Sequence, residues 1–114
     1  MKQIIAIIQP DRLNDLRASL LDAGVCGLTV SQVSGQGCGS VCALPGNPPS
    51  APNRLQEMSR LEILVGDESL DWLIDTILTT LNNPPYVNSG KIFVCNPQDI
   101  IRIRTGEAGI AAVL

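Results

Sequence analysis

The chain contains no histidine and has one tryptophan, one tyrosine and one phenylalanine among its 114 residues. Histidine is the commonest general base near neutral pH and the commonest zinc ligand, so chemistry that depends on it is excluded. So few aromatic side chains cannot form the stacking platform on which single-stranded nucleic acids bind. A net charge of −3 argues in the same direction, and we expect no nucleic-acid partner.

The sequence also lacks any apolar run long enough to span a membrane. A strand-like alternation begins at Lys2, and no small-residue cleavage site of a signal peptide follows it. We therefore expect a cytoplasmic protein. Its length and its hydrophobic content of 45% are typical of one globular domain, covering residues 1–114.

Cysteine occurs at four positions, and none of them predicts a metal site. In a cytoplasmic protein the default state of cysteine is the reduced thiol. Cys26 and Cys95 lie in apolar, strand-like surroundings, where cysteine serves as a small core residue. Cys38 and Cys42 lie in a glycine-rich stretch, where they are either two unrelated exposed thiols or a redox-sensitive pair that forms a reversible disulfide. A zinc site would need two further ligands, so we predict no bound metal.

The apolar pattern predicts four strands and two helices. Residues 2–9 are apolar on both faces, so this strand needs cover on both sides, and a neighbouring subunit is a natural candidate for the second cover. The order strand–helix–strand–strand–helix–strand is the ferredoxin-like βαββαβ order of an α+β domain. The strands are predicted at 2–9, 26–34, 60–65 and 91–95.

Leucine and isoleucine recur at helical spacing in two stretches, and each stripe is predicted to face the core. Asp11 and Asp67 are predicted to cap the two helices at their starts. Gly24 ends the first helix, and Asn82 begins the stretch that ends the second. The stripes are Leu13, Leu16, Leu20 and Leu21 in the first helix, and Leu70, Leu73, Ile74, Ile77, Leu78 and Leu81 in the second.

A long segment between the second and third strands, residues 37–57, is rich in glycine and proline and has no regular apolar pattern. We expect one long mobile loop there. Structureless loops of this length inside a small domain are uncommon and are usually functional, so we favour a functional loop over a passive linker.

The segment Ile101-Arg102-Ile103-Arg104 predicts a short strand with both arginines on one face. The two guanidinium groups would then lie about 7 Å apart, which suggests an anionic partner such as phosphate or carboxylate. Gly90 lets the backbone approach a ligand closely, and Lys91 supplies a further positive charge. The alternative is an edge strand whose solvated cations prevent aggregation.

A cluster of carboxylates at Asp67, Glu68 and Asp71 is explained by the start of the second helix, where negative charge complements the helix dipole. Serine and threonine are plentiful, but no histidine is present to activate them. We therefore predict that the protein is not an enzyme.

The segments Gly90-Lys91-Ile92-Phe93-Val94 and Arg102-Ile103-Arg104-Thr105-Gly106-Glu107 resemble the PII nitrogen-regulatory signalling family. The second segment is the specific part of the resemblance. The resemblance to the family covers most of the chain except residues 38–59 and the turn before Gly90. The other matching segments are 2–10, Ala23-Gly24-Val25, Leu28-Thr29-Val30, and Leu61-Glu62-Ile63-Leu64-Val65 before Asp67-Glu68.

Proteins of this family are homotrimers that bind adenine nucleotides in the clefts between subunits. The resemblance therefore implies ADP, AMP and ATP as regulatory ligands, with no permanently bound cofactor. The loop at 37–57 corresponds to the family's T-loop, which implies an unidentified partner protein, either a membrane transporter or an enzyme. The implied nucleotide-binding residues are Gly90, Lys91, Arg102 and Arg104 at the phosphates, Gly35, Gln36 and Gly37 at the base of the loop, and Thr29, Glu62 and Leu64 at the adenosine.

The departures from the family pattern suggest a divergent, PII-like member. Cys38 and Gly39 replace the usual arginine and glutamine, and Met58 replaces a lysine that pairs with 2-oxoglutarate. We therefore predict that 2-oxoglutarate is not sensed, and the role of magnesium stays open. The loop contains no tyrosine, so the uridylylation known in the family has no acceptor. Two alternatives remain, namely a carbon-metabolism regulator that binds bicarbonate together with nucleotide, and an interaction module with a vestigial nucleotide cleft.

Overall fold

The apolar segment at residues 2–8 forms one of the two inner strands of a four-stranded sheet. The computed structural model describes residues 1–25, 27–36, 55–82 and 90–113. The strands lie in the order β2-β3-β1-β4, and every neighbouring pair is antiparallel. This is the ferredoxin-like α+β arrangement that the sequence predicts. The elements are β1 (Lys2–Ile8), α1 (Leu13–Asp22), β2 (Thr29–Gly35), β3 (Gln56–Val65), α2 (Leu70–Leu81) and β4 (Lys91–Cys95).

The central strand β1 is covered differently on its two faces. Ile4, Ala6 and Ile8 are fully buried on the face that the helices cover. Ile5 and Ile7 point to the other face, because successive side chains alternate, and they are only half-buried. A second cover on this face, which the sequence predicts, is not supplied by the described part of the single chain.

Both helices bury a narrower stripe than the sequence predicts. Leu16 and Leu20 of α1 are fully buried, as are Leu73 and Ile77 of α2, and Leu81 is buried to 4% exposure. In contrast, the predictions for two outer leucines are wrong, because Leu21 is 66% exposed and Leu78 is 44% exposed. Each of these follows a buried residue directly, and a rotation of about 100° per residue turns its side chain out of the core.

The predicted aspartate caps are also wrong, because a turn of 3-10 helix precedes each α-helix. Asp11 lies within the turn Pro10–Arg12, and Asp67 lies within the turn Asp67–Ser69. Neither turn begins with a side-chain cap. Asp67 instead accepts a hydrogen bond of 2.5 Å from the N-terminal ammonium of Met1. This hydrogen bond, followed by the positive charge of the ammonium, lowers the pKa of Asp67 below its ordinary value. The end of α1 follows the prediction, since Gly24 has φ of 95°, the left-handed conformation of a helix C-terminus.

A buried arginine joins the two helices. The guanidinium of Arg12 donates to the carboxylate of Asp15 at 2.9 Å and to the Thr80 carbonyl of α2 at 2.8 Å. Arg12 is only 6% exposed, and its positive charge lies at the negative end of the α2 dipole. No local pattern in the sequence predicts the burial of this arginine.

Two strand boundaries differ from the prediction. β2 begins at Thr29 rather than at residue 26, and β3 begins at Gln56 rather than at residue 60. The longer β3 pairs with β2 down to Gly35, so positions 56 and 57 of the predicted loop belong to the strand. Cys95, predicted as a core residue, is a half-buried free thiol on the face away from the helices, because its backbone pairs with Gln3. Residues 37–54 of the predicted loop, with Cys38 and Cys42, lie outside the described residues, as does Cys26.

Candidate functional site

The sheet face away from the helices, here called the distal face, collects four of the predicted site residues. The register places Thr29 of β2 beside Glu62 of β3, and Leu64 lies two residues further along the same strand. Lys91 of β4 pairs with Ile7 of β1, which puts its side chain on the same face. The register therefore places these four residues on one face of the sheet, and their role in binding stays a prediction.

Glu62 forms an ion pair that the sequence analysis did not anticipate. One guanidinium nitrogen of Arg60 lies 2.9 Å from a carboxylate oxygen of Glu62, with each side chain about a third exposed. The Nε of Arg60 is buried and has no hydrogen-bond partner among the described residues. The two residues are separated by one position on a strand, so they must share a face, and this spacing could have revealed the pair.

The distal face therefore carries two cations beside β1. Arg60 and Lys91 both pair with Ile7, from opposite sides of β1. Their backbones lie about 10 Å apart, since each strand spacing is about 4.8 Å. Lys91 and Arg60 therefore place two positive charges near the middle of the face, and the charge of Arg60 is paired with Glu62.

Gly90 is required where β4 begins. Its φ is 100°, and a Cβ atom there would lie 1.8 Å from the carbonyl oxygen of Ile7. The close backbone approach that the sequence predicts at Gly90 is therefore made, in the described structure, to the chain's own β1. Gly35 differs, because a Cβ there would meet the side chain of Met58 at an ordinary 3.7 Å. Gly35 and the exposed Gln36 lie where β2 and β3 extend past β1, and Gly37 lies outside the described residues.

The predicted strand at 101–104 is wrong, because this segment forms a tight turn. The Arg102 N–H donates to the Glu107 carbonyl, and the Gly106 N–H donates to the Arg102 carbonyl, each at 2.8 Å. Gly106 has φ of 73°, and the Glu107 N–H also donates to the Thr105 hydroxyl at 3.3 Å. Threonine and glycine thus supply turn chemistry that overrides the strand-like alternation.

The turn gives different surroundings to the two arginines that the sequence predicts on one face of a strand. Arg102 is half-buried, and its guanidinium lies 3.5 Å from the Ala112 carbonyl, whereas Arg104 is exposed. Ile103 is fully exposed at 101%, and Ile101, which would share its face in a strand, is 64% exposed. Hence the arginines form a second cationic region, here called the arginine turn and comprising residues 101–108. The described contacts of the turn do not join it to Lys91 or Glu62.

The two regions offer hydrogen-bond donors and positive charge, with carboxylate acceptors at Glu62 on the distal face and at Glu107 in the arginine turn. Among the described residues, no group of three or more histidine, cysteine, aspartate or glutamate side chains is arranged to hold a metal ion. No helix within the described ranges is long and apolar enough to cross a membrane.

Comparison with known proteins identifies the family. The family model of nitrogen regulatory protein P-II matches residues 1–107. The chain belongs to this family. The resemblance carried by residues 90–94 and 102–107 is thereby confirmed, and so is the assignment of this P-II family member as a signalling regulator.

Relatives of this P-II family member match along almost the whole chain. Nitrogen regulatory protein P-II 1 of Escherichia coli is 36% identical, covering 99% of this chain and 100% of its own. Nitrogen regulatory protein GlnK1 of Methanosarcina mazei is 40% identical, covering 99% of this chain and 97% of its own. The crystal structure of Arabidopsis thaliana PII bound to citrate matches with a TM-score of 0.76 at 29% identity, covering 98% of this chain and 88% of that one.

Proposed function

We propose that this P-II family member binds ADP, AMP or ATP in the clefts of a cytoplasmic homotrimer and regulates a partner transporter or enzyme through its loop at 37–57. The observation that carries the proposal is the division of the predicted site into two regions. Glu62 and Lys91 share the distal face, and Arg102 and Arg104 lie in the arginine turn. A ligand in a cleft between subunits takes one region from each neighbour.

The adenosine half of the nucleotide fits the distal face. Glu62 presents a carboxylate that accepts hydrogen bonds from ribose hydroxyls or from the adenine amino group. Thr29 lies directly beside it and offers a hydroxyl that both donates and accepts. Leu64, which is partly exposed on the same strand, supplies apolar surface for the ring.

The phosphates fit the cations. Arg102 and Arg104 carry guanidinium groups that pair with phosphate oxygens through two parallel hydrogen bonds, and Lys91 adds a point charge. The turn fixes the backbone of both arginines through the left-handed Gly106. Little backbone conformational entropy is therefore lost when a ligand binds. The Arabidopsis relative is described with bound citrate, an anion as well, which supports anion recognition on this fold.

The trimer is supported by the incomplete cover of the distal face. Ile5 and Ile7 are half-buried there, and Phe93, which pairs with Ile5, is 48% exposed. Apolar surface of this kind gains about 25 cal/mol for each Å² that a neighbouring subunit removes from water. Sedimentation at micromolar concentration is expected to give three times the mass of one chain, and a mass near one chain would contradict the proposal.

Sensing of 2-oxoglutarate is not part of the proposed function. This ligand carries two carboxylates and needs cationic or metal partners, because burying unpaired charge is costly. Met58 offers neither at the position where the family has lysine, and it is half-buried beside Val33 in the sheet. Calorimetry with magnesium and ATP present is expected to show no micromolar affinity for 2-oxoglutarate.

The decisive test is ADP binding by matched arginine variants. Arg104→Ala removes a charged hydrogen-bond donor and is expected to weaken ADP binding by about tenfold or more, which corresponds to about 1.4 kcal/mol. Arg17→Ala removes another exposed arginine, from α1 in the helical layer, and serves as the control. If calorimetry gives wild-type affinity for the double variant Arg102→Ala/Arg104→Ala, the nucleotide site lies elsewhere.

A panel of AMP, ATP, cyclic AMP and bicarbonate in a thermal-shift assay separates the remaining alternatives. A ligand at 100 times its dissociation constant adds about 2.7 kcal/mol of apparent stability. Stabilisation that requires bicarbonate together with nucleotide favours a carbon-metabolism regulator. No stabilisation by any of these ligands favours an interaction module with a vestigial cleft.

A further inference from the structure

Charge is divided unequally between the two layers of the molecule. The helical layer, residues 10–24 and 66–82, contains seven of the eleven acidic residues of the chain and two of its eight basic residues. Its net charge is therefore −5, whereas the remainder of the sequence has a net charge of +2. One of the two basic residues, Arg12, is buried and paired with Asp15, so the surface of this layer is strongly acidic. A surface of this kind attracts cationic partners.

An open groove of about 510 Å³ lies along this acidic layer, where α1 meets α2. Asp22 of α1 lines one side, and Trp72 and Asp75 of α2 line the other. Trp72 is 45% exposed, although tryptophan is among the residues that gain most from burial. Among the described residues, no lysine or arginine contributes to the lining.

The chemistry of the groove suits a cation that donates hydrogen bonds. The Thr76 hydroxyl donates to the Trp72 carbonyl at 3.0 Å, and the Thr80 hydroxyl donates to the Thr76 carbonyl at 2.8 Å, so these donors are already used within α2. The carboxylates of Asp22 and Asp75 are acceptors, and the indole face of Trp72 is the side chain that attracts cations most strongly. A metal ion fits less well, since two carboxylates give too few ligands.

We propose that this groove docks a basic segment of a partner protein, with an arginine or lysine side chain on Trp72 and between Asp22 and Asp75. The groove lies in the helical layer, on the opposite side of the sheet from the distal face. Occupancy of the groove and nucleotide binding are therefore sterically independent, and a partner held here leaves the proposed nucleotide site accessible. Arginine is the better fit, since its planar group both stacks on an aromatic ring and pairs with carboxylates.

The chain itself supplies the reporter for a binding experiment. Trp72 is the only tryptophan in the sequence, so fluorescence excited at wavelengths that tyrosine does not absorb reports this groove alone. Titration with an acetylated, amidated hexa-arginine peptide is expected to change the fluorescence in a saturable way that weakens with salt. Hexaglutamate of the same length is expected to cause no change. Absence of a fluorescence change with the arginine peptide would overturn the proposal.

A pair of double variants separates docking in the groove from general attraction to an acidic protein. Asp22→Asn/Asp75→Asn removes two charges from the groove and is expected to weaken peptide affinity about fivefold or more. Asp11→Asn/Glu57→Gln removes two exposed charges elsewhere and serves as the control, with an expected change of less than about twofold. Equal weakening in both variants would overturn the proposal, because net charge would then explain the binding.

The indole is tested with a labelled peptide, since its own fluorescence is lost on substitution. Trp72→Leu is expected to weaken binding of fluorescein-labelled hexa-arginine several-fold in anisotropy measurements, and Trp72→Phe is expected to weaken it less. ADP affinity, measured on the same variants, is expected to stay at the wild-type value. If Trp72→Leu instead lowers the sedimentation mass, the groove is a contact between copies of this chain and the proposal of a basic partner fails.

Discussion

Two segments of this chain have the same pattern of alternating charged and apolar residues, yet they adopt different structures. Arg60-Leu61-Glu62-Ile63 lies in β3, which pairs with β1 on one side and β2 on the other. Ile101-Arg102-Ile103-Arg104 has a single isolated bridge, between Ile101 and Ala108, and turns back at Thr105. Alternation therefore predicts which side chains share a face only where neighbouring strands satisfy the backbone.

The two segments also use their arginines differently. In β3 the sheet fixes Arg60 beside Glu62, so the positive charge is partly neutralised and serves to orient a carboxylate. In the arginine turn, Arg104 is exposed and is presented by a backbone that its own hydrogen bonds hold. The arginine of the sheet is thus paired with a carboxylate, whereas Arg104 of the turn is exposed to solvent.

The largest expected effect distinguishes the glycines of the two regions. Gly90→Ala places a methyl group against the Ile7 carbonyl and forces a left-handed alanine, which is expected to cost about 4 kcal/mol of the free energy of unfolding. Gly106→Ala has the same backbone strain, but no described atom lies within 4 Å of the added Cβ. It is expected to cost only about 1 kcal/mol. Denaturant unfolding at fixed protein concentration measures both, and equal losses would contradict the packing argument.

The second largest effect is expected from removing an apolar side chain from the sheet rather than from the turn. Leu61 is fully buried in the sheet, so Leu61→Ala is expected to lower the free energy of unfolding by about 3 kcal/mol. Ile103 is fully exposed in the turn, and Ile103→Ala is expected to change it by less than about 0.5 kcal/mol. Should Ile103→Ala be as destabilising as Leu61→Ala, a neighbouring subunit covers Ile103 in the assembled protein.

The same contrast between sheet and turn explains which features could be predicted from the sequence. The order of elements and the limits of β4 follow from periodicity, because the apolar pattern of each strand and helix matches the core that it faces. The turn at 101–108 was not predicted, since local alternation does not reveal whether a strand has partners. Arg12 was missed for a related reason, because its burial depends on the Thr80 carbonyl, 68 residues away.

A smaller effect concerns the arginine in the sheet and rests on the proposed function. Arg60→Met removes the partner of Glu62 and is expected to weaken ADP binding about threefold, since an exposed ion pair contributes only modestly. Arg60→Lys keeps the charge and is expected to recover most of the affinity. In a Glu62→Ala background, Arg60→Met is expected to have no further effect, because a positioning residue acts only through the group that it orients. Additive losses would show that Arg60 contacts the ligand itself.

The smallest expected effect lies at the opposite end of the sheet from Lys91, where the Met1 ammonium pairs with Asp67. Because the pKa of Asp67 is lowered in the folded protein, the pair contributes stability above the ordinary pKa of the carboxyl group. That contribution is lost as pH falls through the lowered value. In protein that retains Met1, the stability difference between wild type and Asp67→Asn is therefore expected to shrink between pH 7 and pH 3. It is also expected to shrink in high salt, since Asp67 is exposed.

Glu68→Gln, in the same turn, controls for the loss of one negative charge near the start of α2. If Asp67→Asn and Glu68→Gln show the same pH dependence, the helix dipole rather than the ammonium accounts for the effect of Asp67.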